Sequence, residues 1–82
     1  MKYRIFITDE ARSQLRSLPK EQRRNIGFRL DLLLDDLAGD VKKLSGKEAK
    51  YRLRVGSYRI LFALDRDMLI VYSVKDRKEA YE

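Results

Sequence analysis

Three arginines lie close together in an alternating segment of the sequence, at positions 52, 54 and 59. A guanidinium group stays charged at physiological pH and presents a planar fork of N–H donors that matches a phosphate. If Gly56 and Ser57 form a two-residue hairpin loop, Arg54 lies directly opposite Arg59 and Arg52 follows on the same face. Opposed like charges repel by about 4 kcal/mol at ~4 Å before salt screening, which destabilises a sheet. The pattern therefore favours a phosphate-binding surface, and the alternative is that the long side chains simply spread into solvent.

The net charge of the chain comes from one segment. The 82 residues contain 19 Lys and Arg against 13 Asp and Glu, a formal charge of +6. Residues 42–59 hold seven of the basic side chains and only one acidic side chain, which accounts for the whole excess. A cluster of one sign repels itself, and a polyanionic partner is a natural reason to keep it. The segment indicates nucleic acid as a partner, with a plain basic soluble protein as the alternative.

The chain contains no His, Cys or Trp, and this excludes several kinds of site. Disulfides need Cys, the usual zinc, haem and iron–sulfur sites need Cys or His, and catalytic triads need an imidazole. We therefore expect no cofactor and no metal, with any catalysis resting on Arg, Lys, Tyr and carboxylates. No apolar run reaches the ~18 residues of a membrane span, and the N-terminus does not have the pattern of a signal peptide. The sequence predicts one soluble, cytoplasmic domain over residues 1–82.

Hydrophobic periodicity predicts a strand and two helices in the first half of the chain. Residues 2–7 alternate as a strand, and Thr8 or Asp9 can cap the helix that follows. Pro19 ends this helix, because proline fits the first turn of a helix but not its interior. A second helix is predicted over residues 20–38. The helical residues predicted to face inward are Ala11, Leu15, Leu18, Ile26, Leu30, Leu33, Leu34 and Leu37.

Four residues in or next to the second helix need a separate account. Gly39 is predicted to be its C-terminal cap, since glycine adopts the left-handed conformation without strain. Gly27 costs about 1 kcal/mol relative to Ala inside a helix, so either close packing requires it or the helix tolerates it. Phe28 and Leu32 lie off the main apolar stripe. Their positions predict that the helix has a second buried flank or, alternatively, that these two residues are part of a contact with a partner.

The second half of the chain is predicted to be a connection followed by three strands. Residues 40–48 are polar and contain a glycine, as is typical of a loop, and residues 50–64 alternate on both sides of the predicted hairpin turn. After a turn at residues 65–67, residues 68–74 are apolar on both faces except for a serine, which favours a central strand. The order β-α-α-β-β-β predicts an α+β fold with two N-terminal helices packed on one face of a mostly antiparallel sheet. The hairpin residues predicted to face the helices are Tyr51, Leu53, Val55, Tyr58, Ile60 and Phe62.

Several motifs of this sequence occur together in one known family. They are the element order, the run Lys42-Lys43-Leu44-Ser45-Gly46, the segment 51–62 and the tail 74–81. The most specific part is Arg52-Leu53-Arg54 followed by Gly56-Ser57-Tyr58-Arg59, with Arg77 and Tyr81 at family-like spacing. Over nearly its whole length the chain resembles the RelE toxins of bacterial and archaeal toxin–antitoxin modules, within the RelE/ParE superfamily.

The resemblance implies a toxin that enters the ribosomal A site and cuts the mRNA codon exposed there. In such a reaction the 2′-hydroxyl of the RNA attacks the adjacent phosphate and leaves a cyclic phosphate and a free 5′-hydroxyl. The protein must hold the in-line geometry, neutralise the phosphorane and move two protons. The resemblance implies five catalytic residues, Arg52, Arg54, Arg59, Arg77 and Tyr81. The lysines of the basic segment are RNA-binding candidates, namely Lys42, Lys43, Lys47 and Lys50.

The implied roles differ among the five catalytic candidates. Arg59 and Arg77 are expected to grip the scissile phosphate, with Arg77 near the leaving oxygen. Arg52 and Arg54 are expected to contact phosphates and the attacking hydroxyl. Tyr81 is expected to stack on a base or orient the 2′-hydroxyl, or else to be a packing aromatic. The best-known members carry lysines where this chain has Arg52 and Arg54, and a guanidinium with a pKa above ~12 is a poor general base, so the base stays unassigned.

Two other functions are compatible with the same predicted fold. A ParE-like protein would inhibit DNA gyrase without nuclease activity, and a simple RNA-binding module would bind RNA without cleaving it. The clustered arginines favour the nuclease, because a gyrase inhibitor does not need them. Either toxin implies a cognate antitoxin, RelB-like, acidic and partly disordered when free, that folds on binding. The other expected partner is mRNA on the 70S ribosome, and no membrane is expected.

Overall fold

The computed structural model describes residues 2–44, 46 and 49–76, which form two helices and five strands. In chain order these are β1 (Arg4–Ile7), α1 (Asp9–Arg16), α2 (Lys20–Asp36), β2 (Asp40–Lys43), β3 (Lys50–Val55), β4 (Tyr58–Asp65) and β5 (Met68–Asp76). The strands form one sheet in the order β1-β5-β4-β3-β2, with β1 parallel to β5 and every other pair antiparallel. The predicted fold class, α+β with a mostly antiparallel sheet, is confirmed. Neither described helix is both long enough and apolar enough to cross a bilayer.

The entry into the helices follows the sequence prediction closely. Thr8 is the residue that caps α1, and its Oγ1 accepts a hydrogen bond from the backbone N–H of Ala11 at 3.2 Å. This bond satisfies one of the N–H groups that the first turn leaves without a helical partner. Pro19 separates the two helices and is the N-cap of α2, with no side-chain hydrogen bond at that cap. The two helices therefore cannot merge into one, because proline does not fit the interior of a helix.

The end of α2 differs from the prediction that Gly39 caps it. The helix ends at Asp36, and Leu37 takes the left-handed conformation at the cap, with φ of 59°, while its N–H donates to the Leu33 carbonyl at 2.9 Å. Leu37 accepts this conformation because its side chain packs against the core. Gly39 is needed for a different reason, since its φ is +127° and a Cβ there would lie 2.9 Å from Cδ1 of Leu53. It is the point at which the backbone passes close over the core.

The prediction that residues 40–48 form a polar connection is wrong for their first part. Asp40–Lys43 forms β2, which pairs antiparallel with β3. The burial along this strand shows why the sequence concealed it, since only Val41 is half-buried and its three neighbours are exposed. A four-residue edge strand with one apolar residue leaves no alternation to detect.

The core lies between the two helices and one face of the sheet. The hairpin residues predicted to face the helices do so: three are fully buried, and the aromatic rings of Tyr51 and Phe62 stack with their centroids 5.5 Å apart. The β3–β4 register confirms the two-residue loop, because Val55 pairs with Tyr58. Gly56 in that loop has φ of 58°, as a hairpin turn that begins with glycine requires. The buried apolar residues are Ala11, Ile26, Leu30, Leu33, Leu34, Leu53, Val55, Ile60, Phe62, Leu69, Val71 and Val74.

Strand β5 is an interior strand, as the sequence predicted, with β1 on one side and β4 on the other. It extends two residues beyond the predicted end, to Asp76. Gln14 of α1 ties the helix to this strand, since its Oε1 accepts a hydrogen bond of 2.6 Å from the Val74 N–H. The register between β4 and β5 shifts once, so that Leu61 pairs with Ser73 but Phe62 pairs with Val71. Tyr72 is the residue left over, in a β-bulge.

The exposed side of α2 answers two questions that the sequence left open. Phe28 is 60% exposed and Leu32 is 38% exposed, so the prediction that they form a second buried flank is wrong for the isolated chain. A Cβ at Gly27 would meet nothing within 4 Å. Close packing therefore does not explain this glycine.

Replacing Gly27 by alanine is expected to stabilise the protein. The new methyl group meets open space, and alanine loses less backbone entropy than glycine when the helix forms. We expect Gly27→Ala to raise the free energy of unfolding by about 1 kcal/mol, measured by urea denaturation. An unchanged or lower value would show that another element uses the glycine.

Candidate nucleic-acid interface

The face of the sheet opposite the helices carries a group of basic side chains from four strands. The strand registers place them together: Lys42 pairs with Arg52, Arg54 pairs with Arg59, and Arg59 pairs with Lys75. Lys50 is two residues from Arg52 on the same strand and so lies on the same face. We call these residues the basic face: Lys42, Lys50, Arg52, Arg54, Arg59 and Lys75. The sequence did not indicate Lys75 as a site residue, because the strand was predicted to end one residue before it.

Arg54 and Arg59 are directly opposed across β3 and β4, as the hairpin register predicted. Beside them is a shallow notch of about 30 Å³ lined by these two arginines and by the turn residues Gly56, Ser57 and Tyr58. The notch has room for a water-sized group, such as one oxygen of a phosphate. Two arginines that line such a notch can present several N–H donors to a single anion.

Arg52 is held by the first residue of β2. Its Nη1 donates to the backbone carbonyl of Asp40 at 3.2 Å and lies 3.4 Å from the carboxylate Oδ1 of the same residue. Only 11% of the Arg52 side chain is exposed, against 55% of Asp40. A guanidinium that is bonded to a backbone carbonyl and mostly covered has few rotamers left, so Arg52 is pre-oriented along the sheet.

Asp40 also contacts Arg54, and it therefore joins two of the three arginines. Its Oδ2 lies 3.7 Å from Arg54 Nε, at a site where half of the Arg54 side chain is exposed. A carboxylate between two guanidinium groups offsets part of the repulsion that the sequence predicted for the arginine cluster. Sequence reasoning missed this residue, because its role depends on β2, which the local pattern did not reveal. At an exposed ion pair the gain is at most about 1 kcal/mol, so Asp40 orients more than it stabilises.

The remaining predicted site residues are distributed unevenly. Lys43 pairs with Tyr51, which is a helix-facing position, so it occupies the edge of the other face and not the basic face. Lys47, Arg77 and Tyr81 lie outside the described residues. The structure thus brings together three of the five predicted catalytic residues and two of the four predicted RNA-binding lysines.

One aromatic residue that the sequence analysis did not single out belongs to the same face. Lys50 Nζ lies 5.6 Å from the centroid of the Tyr72 ring, within the range of a cation–π contact. Tyr72 is half-buried and comes from the bulge in β5. The sequence pattern placed it simply in an apolar strand, and only the register shift indicates where it lies.

The arrangement is suited to binding and neutralising phosphate groups. It offers guanidinium and ammonium donors from neighbouring strands and one carboxylate that orients two of them. Among the described residues, no group of three or more acidic side chains is placed to hold a metal ion. The chemistry that these residues can supply is electrostatic: they can stabilise a phosphate that gains negative charge in a transition state.

Comparison with known proteins shows what the chain is similar to. No family model matches the chain. Over 49 residues it is 43% identical to Toxin RelE3 of Methanocaldococcus jannaschii, a match that covers 60% of this chain and 56% of that relative. The matched segment thus spans little more than half of the curated relative.

Solved structures extend the similarity to nearly the whole fold. The RelB–RelE antitoxin–toxin complex of Methanococcus jannaschii matches with a TM-score of 0.80 and 28% identity, covering 93% of this chain and 94% of that one. In sequence and fold, the chain is RelE-like. The archaeal RelE–RelB complex of Pyrococcus horikoshii OT3 matches with a TM-score of 0.79 and 29% identity, covering 94% of the RelE-like chain and 97% of the other. The predicted resemblance to RelE-type toxins is confirmed, and both solved structures are complexes of RelE with RelB.

Proposed function

We propose that this RelE-like chain is the toxin of a type II toxin–antitoxin system and cleaves mRNA in the A site of the ribosome. The observation that carries the proposal is the basic face, where Arg52, Arg54 and Arg59 converge on a side of the sheet that the described helices leave open. The similarity to Toxin RelE3 and to RelE in complexes with RelB supports the same assignment. The proposed partners are a RelB-like acidic antitoxin and mRNA on the 70S ribosome.

In the proposed reaction the RNA supplies its own nucleophile. The 2′-oxygen attacks the adjacent phosphorus, and the bond from phosphorus to the 5′-oxygen of the next nucleotide breaks. The 2′-hydroxyl loses its proton and the departing 5′-oxygen gains one, so the products are a cyclic phosphate and a 5′-hydroxyl. These steps balance without a metal ion or a cofactor. The contribution of the protein is to hold the three atoms in line and to neutralise the phosphorane.

We assign separate parts of this work to the individual arginines. Arg54 and Arg59 flank the notch and are proposed to hold the non-bridging oxygens of the scissile phosphate. Arg52, oriented by Asp40, is proposed to contact the phosphate on the side of the attacking hydroxyl. Arg77 near the leaving oxygen and Tyr81 at a base or at the 2′-hydroxyl complete the proposed catalytic set. Lys42 and Lys50 of the basic face are proposed to attract the RNA backbone, together with Lys47. The position of Lys43 at the edge of the other face does not favour this role for it.

Mapping the 5′ ends of cellular RNA after brief expression of the protein tests the proposal. We expect new ends with a 5′-hydroxyl within codons of translated messages, in frame, and none in untranslated RNA. Repeating the assay with translation blocked by an initiation inhibitor is the control, and the cuts should then disappear. Intact mRNA together with a DNA-damage response would point instead to a gyrase inhibitor, and salt-sensitive RNA binding without cuts would point to a binding module.

A further inference from the structure

Tyr72 lies beside the basic face, and phosphate binding alone does not explain an aromatic ring there. It is the residue that the β4–β5 register skips, between Val71 and Ser73. Its two neighbours are 0% and 5% exposed, whereas Tyr72 itself is only half-buried. A bulge changes where a side chain points. Here it leaves an aromatic ring accessible to solvent between two buried residues.

The contact with Lys50 places this ring on the basic face. Lys50 pairs with Ala63 of β4, and Ala63 pairs with Ile70 of β5, so the lysine reaches across the middle strand to a ring 5.6 Å away. Arg52 lies two residues from Lys50 on the same strand, which is a separation of about 7 Å along the face. A cation and an aromatic ring are therefore in contact on this face, and an arginine follows two residues further along β3.

We propose that Tyr72 stacks on an RNA base next to the phosphate that the arginines hold, with Lys50 on the backbone of that nucleotide. This inference deepens the proposed function and rests on it, since it names how the same face binds the nucleotide beside the cut. Single-stranded RNA is bound by aromatic side chains that stack on bases beside cations that track the backbone. An acidic peptide would need only the cations. The half-buried ring therefore favours RNA as the occupant.

Binding of a short single-stranded RNA without ribosomes tests the role of Tyr72. Fluorescence anisotropy at low salt would compare a pyrimidine oligonucleotide with the same backbone carrying abasic nucleotides. We expect the wild-type protein to prefer the oligonucleotide with bases by about tenfold. Tyr72→Leu should lose this preference without changing the affinity for the abasic RNA, and Tyr72→Phe should keep it, because the ring and not the hydroxyl stacks. The dependence of binding on salt should be the same in all three proteins.

Other results would overturn the inference in distinguishable ways. If Tyr72→Leu binds the RNA with bases as tightly as wild type does, Tyr72 does not stack on a base. The same conclusion follows if the wild-type protein binds neither oligonucleotide. An equal loss for both oligonucleotides with a lower melting temperature would show a structural role instead. If Tyr72→Leu weakens only the binding of an acidic peptide, the surface serves a protein partner. If translated mRNA is cut but the protein binds abasic RNA as tightly as RNA with bases, this inference alone is refuted. If the protein prefers RNA with bases but cuts no mRNA, the proposed function alone is refuted.

Discussion

Arg59→Ala is expected to slow cleavage of mRNA on the ribosome by about 100-fold or more. Arg59 lines the notch together with Arg54, and loss of one preorganised donor to transition-state charge costs a factor of this size in other enzymes. The residue is outside the buried core, so the variant should still fold. The measurement is single-turnover cleavage of a defined message in a purified translation system, with melting temperatures recorded for each variant.

Two further variants separate the role of Arg59 from net charge. Arg29→Ala removes the same charge from an exposed position on α2, away from the basic face, and should cleave at the wild-type rate. Arg59→Lys keeps the charge but loses the planar fork, so its rate should lie between those of wild type and Arg59→Ala. Wild-type rates from Arg59→Ala would refute the catalytic assignment, and an equal loss in Arg29→Ala would reduce the effect to overall charge.

Gly39→Ala is expected to lower the free energy of unfolding by about 2–4 kcal/mol. Two costs combine: a φ of +127° is strained for any residue with a Cβ, and the new methyl group would lie 2.9 Å from Cδ1 of Leu53. Leu53 is fully buried, so it has little room to move. Because a small protein is stable by only about 5–15 kcal/mol, this loss should be visible in both urea and thermal denaturation.

Gly27→Ala is the matched control, since it makes the same chemical change in an open position and is expected to stabilise. Opposite signs for the two glycines would confirm that the backbone conformation and the close approach at Gly39, and not loss of glycine as such, cause the damage. A stability of Gly39→Ala equal to that of wild type would show that the backbone before β2 can relax. Asp40 is the next residue in the chain. If Gly39→Ala is destabilised, the hydrogen bond from Arg52 to the Asp40 carbonyl should also weaken.

The hairpin is the part of the fold that the sequence specified best. A two-residue loop fixes which residues pair, and strict alternation fixes which face each side chain occupies, so the opposition of Arg54 and Arg59 followed from local pattern alone. The cap at Thr8 and the break at Pro19 were predictable for the same reason, because each depends on its immediate neighbours. The resemblance to RelE-type toxins rested largely on these local motifs.

The missed features all depend on residues far apart in the chain. Asp40 reaches Arg52 only because a short edge strand pairs with β3, and one half-buried valine gives no signal of that pairing. Leu37 replaces Gly39 as the left-handed cap because the core covers its side chain, which no helix-ending rule anticipates.

The sequence by itself determined the fold class, the hairpin register and the convergence of three arginines on one face. The tertiary structure decided how those arginines are oriented and what lies beside them. Asp40 restrains two of them from a neighbouring strand, and the bulge that sets Tyr72 against Lys50 shifts the alternation by one residue. The physical reason is that alternation records the faces of a regular strand, whereas edge pairing and bulges depend on the strand next to it.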